Sequence, residues 1–115
     1  MGPERCSVLQ INAQHSRTVG AEVRRLAEEL QADIICIQEP YILNRRLINI
    51  PTTAQIVMGG EEPKAAIINL NRNFQIIEIA QLTDEFTACA ELLTKFGKFI
   101  IISLYCQYRF EITSL

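Results

Sequence analysis

Asp33-Ile34-Ile35-Cys36-Ile37-Gln38-Glu39-Pro40-Tyr41 is the stretch on which the reading of this chain turns. Ile34 to Ile37 make a short continuous apolar run, the pattern of a strand buried on both faces, and Pro40 ends it because proline has no N–H to give to a ladder. A carboxylate, Glu39, is thereby set at a strand end. Upstream, Ser7-Val8-Leu9-Gln10-Ile11-Asn12 alternates apolar and polar residues as a strand does and closes on an amide. Between the two, about Thr18 to Gln31, the residues Val19, Val23, Leu26, Ala27 and Leu30 recur at helical spacing. Arg24 with Glu28 and Arg25 with Glu29 form i,i+4 pairs on the wetter side of that helix. Strand, helix, strand predicts a parallel βαβ unit, in which two buried strands deliver Asn12 and Glu39 to one sheet edge.

Beyond Tyr41 the character changes. Tyr41 to Pro51 reads as a long connection without a clear period, and short strand candidates then follow in quick succession: about Gln55 to Met58, Ala65 to Leu70, Phe74 to Ala80, Phe86 to Leu93 and Lys98 to Tyr105. Turn chemistry separates them at Gly59-Gly60-Glu61-Glu62-Pro63, Asn71-Arg72-Asn73 and Lys95-Phe96-Gly97, so antiparallel hairpins and a β-meander are expected. There is no internal repeat and no low-complexity segment.

At 115 residues the chain has the size of one domain, and we expect a single unit over 1–115. A composition of 49% hydrophobic and 21% charged residues excludes a disordered chain and suits a soluble globular one. No apolar run approaches the roughly 18 residues that span a bilayer, and the first residues lack the apolar core of a signal peptide, so an intracellular location is expected. Four cysteines contain no Cys-x-x-Cys pair, which speaks against zinc and for free thiols acting as small hydrophobes. A net charge of −2 gives no basic field, so contact with DNA would have to come from particular residues.

A single carboxylate at a strand end beside an amide suits Mg²⁺, which takes one or two protein carboxylates and keeps water and substrate phosphate in its remaining positions. Glu39 is the candidate metal ligand, and Asn12 could orient Glu39, a phosphate oxygen or a water by hydrogen bonding. On spacing alone, an Asn after a strand and a Glu before a proline are also ordinary turn residues. The flanking pattern has to decide between the two.

Leu9-Gln10-Ile11-Asn12, a helix, and then Asp33 to Tyr41 with its Gln-Glu-Pro-Tyr ending resemble the endonuclease/exonuclease/phosphatase family, and within it the apurinic-type endonuclease domain of non-LTR (LINE-type) retrotransposons. Lys64-Ala65-Ala66-Ile67-Ile68 and Ile101-Ile102-Ser103-Leu104-Tyr105-Cys106 match later strands of that group. The resemblance implies an α/β fold, the N-terminal half of a four-layer α/β/β/α sandwich with its site along one edge. It also implies a metal-dependent DNA endonuclease using Mg²⁺ (or Mn²⁺), with Glu39 on the metal and Asn12 and Tyr105 as catalytic residues beside the scissile phosphate. Tyr41, Arg45 and Arg46 would lie on the DNA-facing loop. A nuclear location and a reverse transcriptase domain in a full-length parent follow from the same resemblance.

The chain departs from the group's pattern at Gln14, where a second Asn is usual, and at Cys106-Gln107-Tyr108. The Asp-x-Asn motif and Asp-His pair that activate the attacking water in that group have no counterpart before Leu115, and His15, in the first loop, cannot replace that His. The expectation is therefore a truncated domain, inactive by itself, with Phe99 to Ile102 presenting an apolar face that promotes self-association. A non-catalytic relic and a phosphatase of the same superfamily stand as alternatives.

Overall fold

The structure, a computed structural model, describes residues 5–106. The expected βαβ unit is β1 (Val8–Asn12), α1 (Arg17–Leu30) and β2 (Ile34–Gln38), with β1 and β2 parallel and in register from Val8 opposite Ile34 to Asn12 opposite Gln38. Ser16 caps the helix, its hydroxyl accepting the Val19 N–H at 3.2 Å, and Gln31 ends it in the left-handed conformation with the Ala32 N–H returning to the Ala27 carbonyl at 2.9 Å. Two short strands follow, β3 (Ile42–Leu43) and β4 (Arg46–Leu47), and then β5 (Gln55–Val57) and β6 (Ala65–Asn69). The first sheet has the order β1-β2-β6-β5, antiparallel beyond the β1–β2 pair. A second, antiparallel sheet is the meander β7 (Gln75–Glu78), β8 (Thr87–Thr94) and β9 (Gly97–Leu104), with a 3₁₀ turn at Ala80–Leu82 between its first two strands.

The two central strands β2 and β6 are buried along their whole length because each of their faces is covered. Ile35, Ile37, Ala66 and Ile68 pack with Val23 and Ala27 of α1, while Ile34, Cys36, Val57 and Ile67 pack with Ile76, Ala88, Ala90 and Leu92 of the second sheet. Period-two alternation sends successive residues to opposite sides, which is why an uninterrupted apolar run was required. Helix, sheet and sheet form three layers among the described residues, an α/β arrangement consistent with part of the expected sandwich.

Four expectations are corrected. β1 is not a buried strand: it lies at the edge of the first sheet, and its residues alternate between exposed and half-buried. The strands after Pro51 do not form one meander. The turn at Asn71-Arg72-Asn73 does form, but β6 already has β2 and β5 on its two sides, so no edge remains for β7 and the chain crosses to the second layer. The stretch Tyr41 to Pro51 is more than a long connection, for β3 and β4 make a small hairpin within it around Asn44 and Arg45, both at positive φ as a two-residue type I′ turn requires. In β9, Ile101 and Ser103 face the first sheet of this same chain, and it is the opposite face, Ile100, Ile102 and Leu104, that stands exposed at 58%, 56% and 58%.

Candidate functional site

The parallel register places the ends of β1 and β2 side by side, and three backbone hydrogen bonds then fix the path of the chain where it leaves them. The Ala13 N–H donates to the Gln38 carbonyl, the His15 N–H to the Glu39 carbonyl and the Glu39 N–H to the Lys64 carbonyl, each at 2.8 Å. Glu39 is thus tied on one side to the β1–α1 loop and on the other to the start of β6. It takes φ +49°, and Gln14 and His15 opposite it take +53° and +54°, conformations that cost a non-glycine residue about 1–2 kcal/mol. Asn12 Oδ1 accepts the Gln14 N–H at 2.8 Å. That bond occupies the amide oxygen within its own loop and leaves Nδ2 as the side chain's donor.

The second sheet brings Tyr105 to the same edge. There hydrogen bonding toward the Glu39 carboxylate is the main cause that holds the phenol's proton above the usual tyrosine range, with desolvation and the charge of Glu39 adding to it. Behind it, the Tyr105 N–H donates to the Phe86 carbonyl at 2.9 Å and the two rings stack with centroids 6.5 Å apart. Asp84 holds the start of β8, its Oδ1 accepting the Phe86 and Thr87 N–H groups at 2.9 Å.

Two buried polar residues, neither singled out in the sequence, join the sheets just inside this edge. Gln38 Nε2 donates to Ser103 Oγ at 2.9 Å, and the Ser103 hydroxyl lies 3.2 Å from the Ile37 carbonyl. The available signal was a polar residue inside each of two apolar runs. Nothing in a single sequence pairs two positions 65 residues apart.

Tyr41 and Arg45 line a cavity of about 350 Å³ together with His15, Pro40, Glu61 and Lys64. It adjoins Glu39 through the neighbouring residue Pro40 and through His15 and Lys64, the two backbone partners of Glu39. Arg46 lines a further cleft with Leu47, Ile50, Ile56 and Met58, and Arg45 lines that cleft as well, so the arginine pair stays together there while Arg45 also borders the first cavity. Asn12, Glu39 and Tyr105 share one edge, Tyr41 and Arg45 border the cavity beside it, and Arg46 lies in the next cleft together with Arg45. Gln107 and Tyr108 lie outside the described residues. A larger cavity, about 720 Å³, opens at the far end of β6, where the amides of Asn69, Asn71 and Gln55 are already bonded to one another or to neighbouring groups.

Among the described residues no three His, Cys, Asp or Glu side chains gather as a ready cation cage. One carboxylate beside an amide and a phenol is a sparse, all-oxygen and amide set. It fits Mg²⁺ or Mn²⁺ held mostly by water and substrate, and does not fit zinc. No helix of the described residues is long and apolar enough to cross a membrane.

No family model and no curated protein matches the chain. Among solved structures it is similar to the endonuclease domain of TRAS1, a telomere-specific non-LTR retrotransposon, with a TM-score of 0.75 and 24% identity. The match covers 90% of this chain and 45% of that one, so the chain spans about half the length of the domain it matches. Its fold is that of part of an endonuclease-type α/β sandwich, in agreement with the resemblance carried by the β1 and β2 motifs.

Proposed function

We propose that this chain supplies the metal- and phosphate-holding half of a metal-dependent DNA endonuclease site. The observation that carries the reading is the convergence at one edge of Asn12 and Glu39, fixed by the β1–β2 register and the His15–Glu39 backbone bond, with Tyr105 brought there from the second sheet just beyond the Gln38–Ser103 hydrogen bond. An acidic group placed at a strand end by chance needs no partner from another layer. Glu39 holds the divalent ion, whose chemistry is to offset charge building on a phosphate oxygen. Tyr105 keeps the carboxylate in one orientation, leaving its other lone pairs for the ion. Asn12 Nδ2 donates to a non-bridging phosphate oxygen. Tyr41 and Arg45 border the path of the nucleic acid beyond the scissile bond, Tyr41 by stacking or van der Waals contact and Arg45 by a charge-assisted bond to a backbone phosphate.

On this reading double-stranded DNA is the substrate, the nucleus is the place of action, and a reverse transcriptase domain accompanies the endonuclease in a full-length parent. The groups that activate water are supplied by the remainder of the sandwich, so the 115-residue chain binds Mn²⁺ through Glu39 without turning over. Mn²⁺ binding followed by water-proton relaxation, together with nicking of supercoiled plasmid, tests this. Binding that is lost in Glu39→Ala supports the site, and equal binding by wild type and Glu39→Ala removes it. Mg²⁺-dependent nicking that disappears in Glu39→Ala would place the whole catalytic apparatus in this chain and refute the division proposed here.

A further inference from the structure

The two sheets are separate hydrogen-bonded units, and Glu39 and Tyr105 belong to different ones. Their relative position therefore depends on what fixes one sheet against the other. Most of that interface is apolar, with Ile34, Cys36 and Ile67 against Ala88, Ala90 and Leu92. Hydrophobic contact is non-directional and tolerates small sliding of one layer on the other. Polar ties cross it at each end: far from the site Gln55 Oε1 accepts the Ile76 N–H at 3.0 Å, and at the site end Gln38 and Ser103 are both buried, mutually bonded and tied to the β2 backbone at Ile37. Gln38 directly precedes Glu39. Ser103 and Tyr105 sit two residues apart, hence on the same face of β9's path, about 6.6 Å along the chain at ~3.3 Å per residue.

We propose that the Gln38–Ser103 hydrogen bond is a positioning clamp that holds the second sheet in the register at which Tyr105 meets Glu39. Sliding β9 by a single residue would turn Ser103 and Tyr105 away from the first sheet altogether, and a shift of 1 Å would already lengthen a hydrogen bond past its useful range. The clamp resists both, because breaking it leaves the Gln38 amide without its partner in a buried interface. Gln38 and Ser103 touch neither metal nor phosphate and act through Glu39 and Tyr105. The inference deepens the proposed function by naming what aligns its two halves.

A double-mutant cycle on the 115-residue chain, in the absence of metal, tests the clamp. Urea unfolding of wild type, Glu39→Gln, Tyr105→Phe and the pair gives the coupling between Glu39 and Tyr105, and the cycle is repeated with Ser103→Ala. The expected result is coupling in the first cycle and its loss in the second, with Ser103→Thr, which restores a hydroxyl, recovering it. A third cycle in the Gln38→Met, Ser103→Ala background leaves no buried amide without a partner and so reads alignment apart from general destabilisation. Coupling that persists undiminished in either folded background overturns the proposal, as does a wild-type chain with no coupling to lose. Because no metal enters the cycle, failure of Mn²⁺ binding or of DNA cleavage would leave its result standing.

Discussion

Glu39 offers a test in which the backbone and the carboxylate can be separated. It holds φ +49° immediately before Pro40, a place where the chain is already restricted, and two backbone hydrogen bonds of 2.8 Å keep it there. Replacing it by alanine and by glycine removes the carboxylate and the Tyr105 hydrogen bond equally, so the difference between the two variants isolates the conformation. Alanine keeps the left-handed strain of about 1–2 kcal/mol, whereas glycine is free of it but loses about 0.4–1 kcal/mol to the greater entropy of its unfolded chain. The balance is roughly 1 kcal/mol in favour of glycine, or about 4–8 °C in Tm for a domain of this size. At an ordinary strand position the order is reversed, with alanine the more stable by about 0.5–1 kcal/mol. Thermal unfolding by circular dichroism decides the matter by sign. Glu39→Ala melting at or above Glu39→Gly would refute the claim that this carboxylate is held at a cost in backbone energy.

Other consequences can be checked with the same material. Ser16→Ala removes the cap of α1 and should cost about 1 kcal/mol, read as a fall in the urea midpoint with an unchanged slope. Burial pushes the Cys36 thiol up to about 11 from its ordinary 9.0, so the folded chain binds that proton more tightly than the unfolded one. Stability from this source is complete below pH 9 and is lost as pH climbs towards 11; melting across that range should fall less steeply in Cys36→Ala than in wild type. Ile100, Ile102 and Leu104 make an exposed apolar row on the edge strand β9, and Ile102→Lys should shift sedimentation towards monomer, an effect that a wholly monomeric wild type would contradict.

What could be read from the sequence was whatever is written locally. The four apolar residues from Ile34 to Ile37 carry their own evidence of two-sided burial, and the helical spacing from Val19 to Leu30 needs no partner to be recognised. Asn12 and Glu39 came together on paper because a parallel βαβ unit has few ways to close. The β3–β4 hairpin was missed because its turn is Asn44-Arg45, with arginine at the second left-handed position where glycine is the usual signal. The meander was overextended for a different reason: Asn71-Arg72-Asn73 is a sound turn, but whether the chain returns along β6 or leaves for another layer depends on β2 and β5 having already taken both edges of β6. Turn chemistry records that the chain bends and not which neighbour it then meets. The same limit hid the pairing of Gln38 with Ser103, which crosses from one layer to the other.

Positive φ at non-glycine residues singles out Glu39 at the Asn12–Glu39 edge. Seven such residues occur among those described, and five of them have an architectural cause: Gln31 ends α1, Asn44 and Arg45 make the turn between β3 and β4, and Gln14 and His15 make the turn that the Ser16 N–H closes on the Ala13 carbonyl at 2.9 Å ahead of α1. Asn49 has none that the structure reveals. Glu39 is the seventh, and it lies against the Gln14–His15 turn through the His15 N–H on its own carbonyl. A glycine there would relieve the cost, and the chain carries a carboxylate instead, as the proposed function requires. The same alanine-against-glycine comparison at Gln14 and His15 supplies the reference: both should favour glycine as left-handed turn positions do, and a preference for alanine at either would contradict the strain assigned to this edge.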